Sequence, residues 1–124
     1  MNDYKLINSL LEGGSESSLL KLKMIVKLNT LILRNVAKNN RFKFVILFKE
    51  YFDKIFATSP YVIQFFNLDE RFEIVKLFEN SFYVGFKMYP YLIKYIPKDE
   101  GKIVSAMFPE IAFPQYKEVL NFID

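Results

Sequence analysis

Residues 19–49 read LLKLKMIVKLNTLILRNVAKNNRFKFVILFK. This stretch decides the fold class. It contains no acidic residue and eight basic ones: Lys21, Lys23, Lys27, Arg34, Lys38, Arg41, Lys43 and Lys49. Almost everything between them is apolar. Wound at about 100° per residue, Lys23, Lys27, Arg34 and Lys38 fall in a sector of about 60°. Apolar side chains fill most of the remaining circumference. The pattern predicts a helix over about 17–38, buried on nearly all sides, with one cationic ridge left in water.

Helix signals continue on both sides of this stretch. Asp3 can cap a short helix that Gly13-Gly14 ends. Ser15 to Ser18 offer cap oxygens for the next helix, and Asn39-Asn40 suits its left-handed stop. A third helix is expected from about Phe42 to Ala57, with Phe44, Phe48, Tyr51, Phe52 and Ile55 on its apolar face. A short buried strand at 43–48 has the same periodicity and is the alternative there. Thr58-Ser59-Pro60 reads as a cap with proline at the first helical position, opening a short helix to Phe66. Asn67 with Glu70 resembles a capping box for a helix carrying Phe72, Val75, Phe78 and Phe82 inward. Gly85 and Pro90 are expected to end or kink it. Pro97 and Pro114 each open a short C-terminal helix, near 97–108 and 114–123. No internal repeat, low-complexity tract or linker stands out. The expected fold is all-α, a compact single-domain bundle of about six or seven helices over residues 1–124, with the central helix near 17–38.

Composition agrees with a folded globule. The chain has 124 residues, 52% hydrophobic and 25% charged, with a net charge of +3. That charge is uneven. Residues 1–60 hold ten Lys/Arg against five Asp/Glu, a balance of +5; residues 61–124 hold seven against nine, a balance of −2. Fourteen Phe and eight Tyr are more rings than a small core needs, so some should reach the surface or meet another subunit. The richness in Phe, Tyr, Ile, Lys and Asn has the flavour of AT-rich coding, as in viral or mobile-element accessory proteins. The N-terminal residues lack a basic segment followed by an apolar run, and no apolar stretch of spanning length is free of charge. A cytoplasmic location is expected.

The chain has no His and no Cys. The usual general base near neutral pH is missing, with the commonest transition-metal ligands and the thiol nucleophile. Three weaker constellations remain. Asp69 and Glu73 share a helical face that suits a divalent cation, but acids in a first helical turn also offset its dipole. Asp99-Glu100-Gly101-Lys102 has the acid-x-Lys spacing of metal-dependent nucleases, on what reads as a helix start. Gly13-Gly14-Ser15 suits a phosphate, without the lysine pattern of a phosphate loop. No enzyme, metal, cofactor or small-molecule substrate is therefore expected.

Two surfaces are left as candidates. Lys23, Lys27, Arg34, Lys38, Arg41 and Lys43 would face an anionic partner, whether nucleic acid, acidic protein or membrane. The helical ridge from Lys23 to Lys38 would be about 22 Å long, with Asn29, Asn35, Asn39 and Asn40 beside it. The second surface is aromatic: Tyr83, Tyr89 and Tyr91 are expected outside, and Phe82 and Phe86 inside. The leading expectation is a non-catalytic interaction protein: an adaptor, regulator or inhibitor with a protein partner and a tendency to homodimerise. The alternative is a DNA- or RNA-binding regulator using the basic 21–49 segment.

Overall fold

The computed structural model describes residues 2–114. The helix expected near 114–123 lies outside them, apart from Pro114. Among the described residues there are seven α-helices and no strand. They are α1 (Tyr4–Gly13), α2 (Glu16–Ile25), α3 (Arg41–Leu47), α4 (Lys49–Thr58), α5 (Arg71–Leu77), α6 (Glu79–Met88) and α7 (Lys98–Met107). Five 3-10 turns join them: Ile32–Arg34, Lys38–Asn40, Pro60–Phe65, Leu68–Glu70 and Pro90–Tyr95. The all-α reading is correct, and the 43–48 stretch is helical through Leu47 rather than extended. Contacts gather into two units, residues 1–52 and 53–124, with the boundary inside α4.

In the first unit, α1 and α2 form a helical hairpin. The Asp3 side chain accepts from the Leu6 N–H, and Ser15 Oγ accepts from the Ser18 N–H. Gly14 takes φ +66° and returns its N–H to the Leu10 carbonyl. That is the left-handed stop which glycine adopts without a Cβ penalty. The core of this unit holds Ile7, Leu11, Leu22, Ile32, Leu33, Val36, Phe44, Val45 and Phe52.

The helix expected over 17–38 is corrected: α2 stops at Ile25. Val26 is extended, at φ −77° and ψ 135°. Four asparagines account for the path beyond. Asn2 donates from Nδ2 to the Lys27 carbonyl and accepts the Lys27 N–H on Oδ1, both at 2.9 Å. Asn29 Oδ1 accepts the Leu31 N–H. Asn8 Oδ1 accepts from the Ala37 N–H at 2.8 Å and from Asn40 Nδ2. Side chains that capture backbone groups offer an alternative to the helical ladder. The β-branched pair Ile25-Val26 weakens the helical option further.

The expected 42–57 helix is also corrected. It is broken at Phe48 (φ −109°, ψ 42°) into α3 and α4. In a straight helix Phe44 and Phe52, eight residues apart, would be displaced by about 12 Å along the axis. The corner brings their ring centroids to 6.1 Å. Side-chain packing selects the corner, because no glycine or proline is present to force it.

The same corner recurs thirty residues later, which corrects the expectation of no internal repeat. Residues 37–66 and 67–96 follow the same succession: 3-10 turn, seven-residue helix, corner, ten-residue helix, proline-started 3-10 turn. Backbone angles match in register. Phe48 (−109°, 42°) pairs with Phe78 (−117°, 38°), and Ser59 (−139°, 61°) with Tyr89 (−132°, 65°). Ten positions are identical at this offset: Arg41/Arg71, Phe42/Phe72, Val45/Val75, Leu47/Leu77, Phe48/Phe78, Phe52/Phe82, Phe56/Phe86, Pro60/Pro90, Tyr61/Tyr91 and Ile63/Ile93. The 3-10 turn at Ile32–Arg34 and the start of α7 continue the period on either side. The surplus of phenylalanine thus has a structural source, since equivalent slots are filled once per repeat.

In the second unit equivalent elements lie side by side. The turn Pro60–Phe65 packs on Pro90–Tyr95, and α5 packs on α7. Such neighbour-on-neighbour packing is how stacked repeats bury a continuous core. Phe56 is its hub, stacked on Phe82 at 4.7 Å and edge-on to Phe78 at 4.9 Å. Phe82 and Phe86 are fully buried, as expected.

Gly85 does not end α6; the helix runs through it to Met88. The residue is buried, and a Cβ placed there would lie 2.5 Å from the Phe56 carbonyl oxygen and 2.9 Å from Pro60. Glycine serves close approach here, not termination. The capping box also fails, because Asn67 makes no capping bond and the residues after it form a 3-10 turn before α5.

Candidate functional site

The arginine shared by the two repeats is an internal clamp. Arg71 donates from Nε to the Phe66 carbonyl (3.1 Å), from Nη2 to the Gln64 carbonyl (3.0 Å) and from Nη1 to the Tyr95 carbonyl (2.8 Å). It therefore ties the end of one proline-started turn to the end of the next. Arg41 repeats the local half of this arrangement: Nε donates to Val36 O at 2.9 Å and Nη2 to Arg34 O at 3.5 Å. Burial pulls both guanidinium groups below the ordinary arginine value, and the Tyr95 phenol opposes this at Arg71. Both remain cationic at physiological pH.

The basic residues consequently do not form the expected helical ridge. Lys23 stands on α2 and Lys27 lies in the extended segment after it. Arg34 and Lys38 belong to two separate 3-10 turns, and Arg41 and Lys43 to α3. Arg41 directs Nε and Nη2 at backbone carbonyls of Val36 and Arg34. Asn40 is buried, with Nδ2 directed at Asn8 and at Glu12 Oε1. Lys23, Lys27, Lys38 and Lys43 remain exposed, on a path with turns instead of a straight line.

The tyrosines divide as well. Tyr89 and Tyr91 meet edge to face at 6.3 Å. With Thr58, Ser59, Tyr61 and Leu92 they line an open cleft of about 290 Å³ in the second unit. Two equivalent turns build it, since Pro60 and Pro90 fix the turn start and each is followed by an outward tyrosine. Tyr61 is 40% exposed and Tyr91 52%. The Lys94 ammonium lies 5.8 Å from the centre of the Tyr91 ring and 5.3 Å from that of Tyr95, within cation–π range. Tyr61 is absent from the residues the sequence singles out. The signal that identifies it is the Pro-Tyr pair at 60–61, repeated at 90–91.

Tyr83 belongs elsewhere. Its hydroxyl donates to Glu110 Oε2 at 2.5 Å and its ring lies against Phe108. Hydrogen bonding to that carboxylate, then desolvation, pushes the phenol above its ordinary value. Tyr83 lines a different cleft of about 280 Å³, together with Glu79, Asn80 and the 107–111 segment.

The first unit has a larger groove of about 540 Å³. Leu28, Leu47, Phe48 and Tyr51 supply apolar wall; Lys23, Lys49 and Glu50 supply charge. On α2, Leu20 and Met24 are exposed, Met24 at 85%.

Among the described residues no group of three or more acidic, His or Cys side chains is placed to hold a metal ion. Glu73, one of the two acids of the candidate cation site, pairs with Lys76 at 3.0 Å. No helix among them is long and apolar enough to cross a membrane. Comparison with protein-family models, curated proteins and solved structures finds no match to this chain.

Proposed function

We propose that this chain is a non-catalytic protein-binding module, acting as an adaptor, regulator or inhibitor of a partner macromolecule. Its principal contact surface is the cleft of Tyr61, Tyr89 and Tyr91. The observation that carries this reading is the presentation of two large, half-wet rings by equivalent turns of successive repeats. Tyrosine suits that role: it supplies wide contact area at low entropic cost, with a hydroxyl that tolerates water. Repeat architectures commonly bind through such serial surface positions, because the buried positions are already used for stacking.

The test compares the intact chain with the Tyr61→Ala/Tyr91→Ala double variant as bait in nuclease-treated lysate of the native host. Both rings are exposed, so the variant should keep the far-UV circular dichroism and melting temperature of the parent. A bound protein should be retained by the parent and lost from the variant, each ring costing about 1–3 kcal/mol. Equal retention by both forms, or capture that disappears on nuclease treatment, would refute the reading.

A further inference from the structure

We infer that the groove of the first unit, between α2 and the corner joining α3 to α4, is a second docking site, fitted to an acidic amphipathic helix of a partner protein. Three observations carry this. The groove is concave and large, about 540 Å³, with Leu28, Leu47 and Phe48 in its wall. A helix laid in such a groove buries side chains at i, i+3, i+4 and i+7. The charge of the lining leans basic. No acid occurs between residues 17 and 49, and the lining carries Lys23 and Lys49 against Glu50, its one acid. Cations at the rim of an apolar groove complement the acidic flank of an amphipathic helix and steer its approach.

The third observation comes from the repeat. Phe48 and Phe78 occupy the same corner position with matching backbone angles. Phe78 is 2% exposed, whereas Phe48 is only half-buried. The position is thus closed in one copy and accessible in the other. An anionic membrane fits less well because its surface is flat and the apolar wall is recessed. Nucleic acid fits less well because Leu28, Leu47 and Phe48 offer phosphates nothing.

The experiment titrates the full chain with a fluorescent single-helix peptide carrying leucine at i, i+3, i+4 and i+7 and glutamate at most other positions. Comparison probes are a scrambled peptide of the same composition, its lysine-for-glutamate counterpart, phosphatidylserine-containing phosphatidylcholine vesicles and a short DNA duplex. The acidic amphipathic peptide should bind best, and resonances of Leu28, Leu47, Phe48 and Tyr51 should shift. Lys23→Glu, an exposed substitution that leaves the core intact, should weaken that binding roughly tenfold. Tyr61→Ala/Tyr91→Ala should leave it unchanged, which separates this site from the tyrosine cleft. The inference is overturned by any of three results: equal binding of the scrambled peptide, no effect of Lys23→Glu, or preference for vesicles or DNA.

Discussion

Replacing Gly85 with alanine should destabilise the protein by about 3 kcal/mol or more, although alanine is the better helix former. In an exposed helix interior the exchange gains about 1 kcal/mol. Here the added methyl would stand 2.5 Å from the Phe56 carbonyl oxygen and 2.9 Å from two atoms of Pro60. Neither neighbour is a flexible side-chain end. One is backbone inside α4, and the other is the ring that starts the Pro60–Phe65 turn. Relief requires α6 to move away from α4, which opens the Phe56–Phe82 stack. Overpacking of that kind costs about 1–3 kcal/mol or more, and the loosened aromatic contacts add to it. Urea denaturation should report a lower midpoint with an unchanged slope. Gly13→Ala is the matched control. There the nearest atom is Ser18 Oγ at 3.4 Å, at the end of a movable side chain, so stability should hold or rise slightly. A Gly85→Ala variant as stable as the parent would show that α4 and α6 do not approach so closely at Gly85.

Removing the Arg71 clamp should have the second largest effect. Arg71→Ala leaves the carbonyls of Gln64, Phe66 and Tyr95 without their charged donor. Hydrogen bonds to charged groups contribute about 1.5–3 kcal/mol each at most, and water recovers part of that at a partly exposed site. A net loss of about 3 kcal/mol is expected, lowering the melting temperature by roughly 10 °C. Arg71→Lys should recover only a minor part, because an ammonium cannot present the planar fork that reaches three carbonyls. The loss should also disturb the tyrosine cleft, since Tyr61 and Tyr91 lie on the two turns that Arg71 ties together. A melting temperature unchanged by Arg71→Ala would mean that the turns hold their places without it.

What could be read from the residues divides along a physical line. Asp3, Ser15 and Gly14 act as expected because a cap is decided within a four-residue window. Pro60, Pro90 and Pro97 sit at element starts because a fixed φ and a missing N–H leave few other places. Helical class was legible because apolar spacing near 3.6 recurs in most segments. The tyrosine cleft was half legible: Tyr89 and Tyr91 follow from a ring-rich segment, whereas Tyr61 becomes visible only through the thirty-residue offset. That period is faint in the sequence because two-thirds of the paired positions differ, and the shared ones have the character of ordinary core residues.

The sequence alone determined the helical class, the places where caps and prolines start elements, the lack of imidazole and thiol chemistry, and the cationic character of residues 19–49. Tertiary structure decided where helices stop without a breaker. The chain leaves α2 after Ile25 because Asn2, twenty-five residues from Lys27, holds both backbone polar groups of that lysine. It turns at Phe48 because the rings of Phe44 and Phe52, eight positions apart, gain more by meeting than the backbone loses by leaving the helix. Local propensity is a sum of small preferences along the chain. A hydrogen bond or ring contact between distant segments exceeds it, and no local window contains both partners.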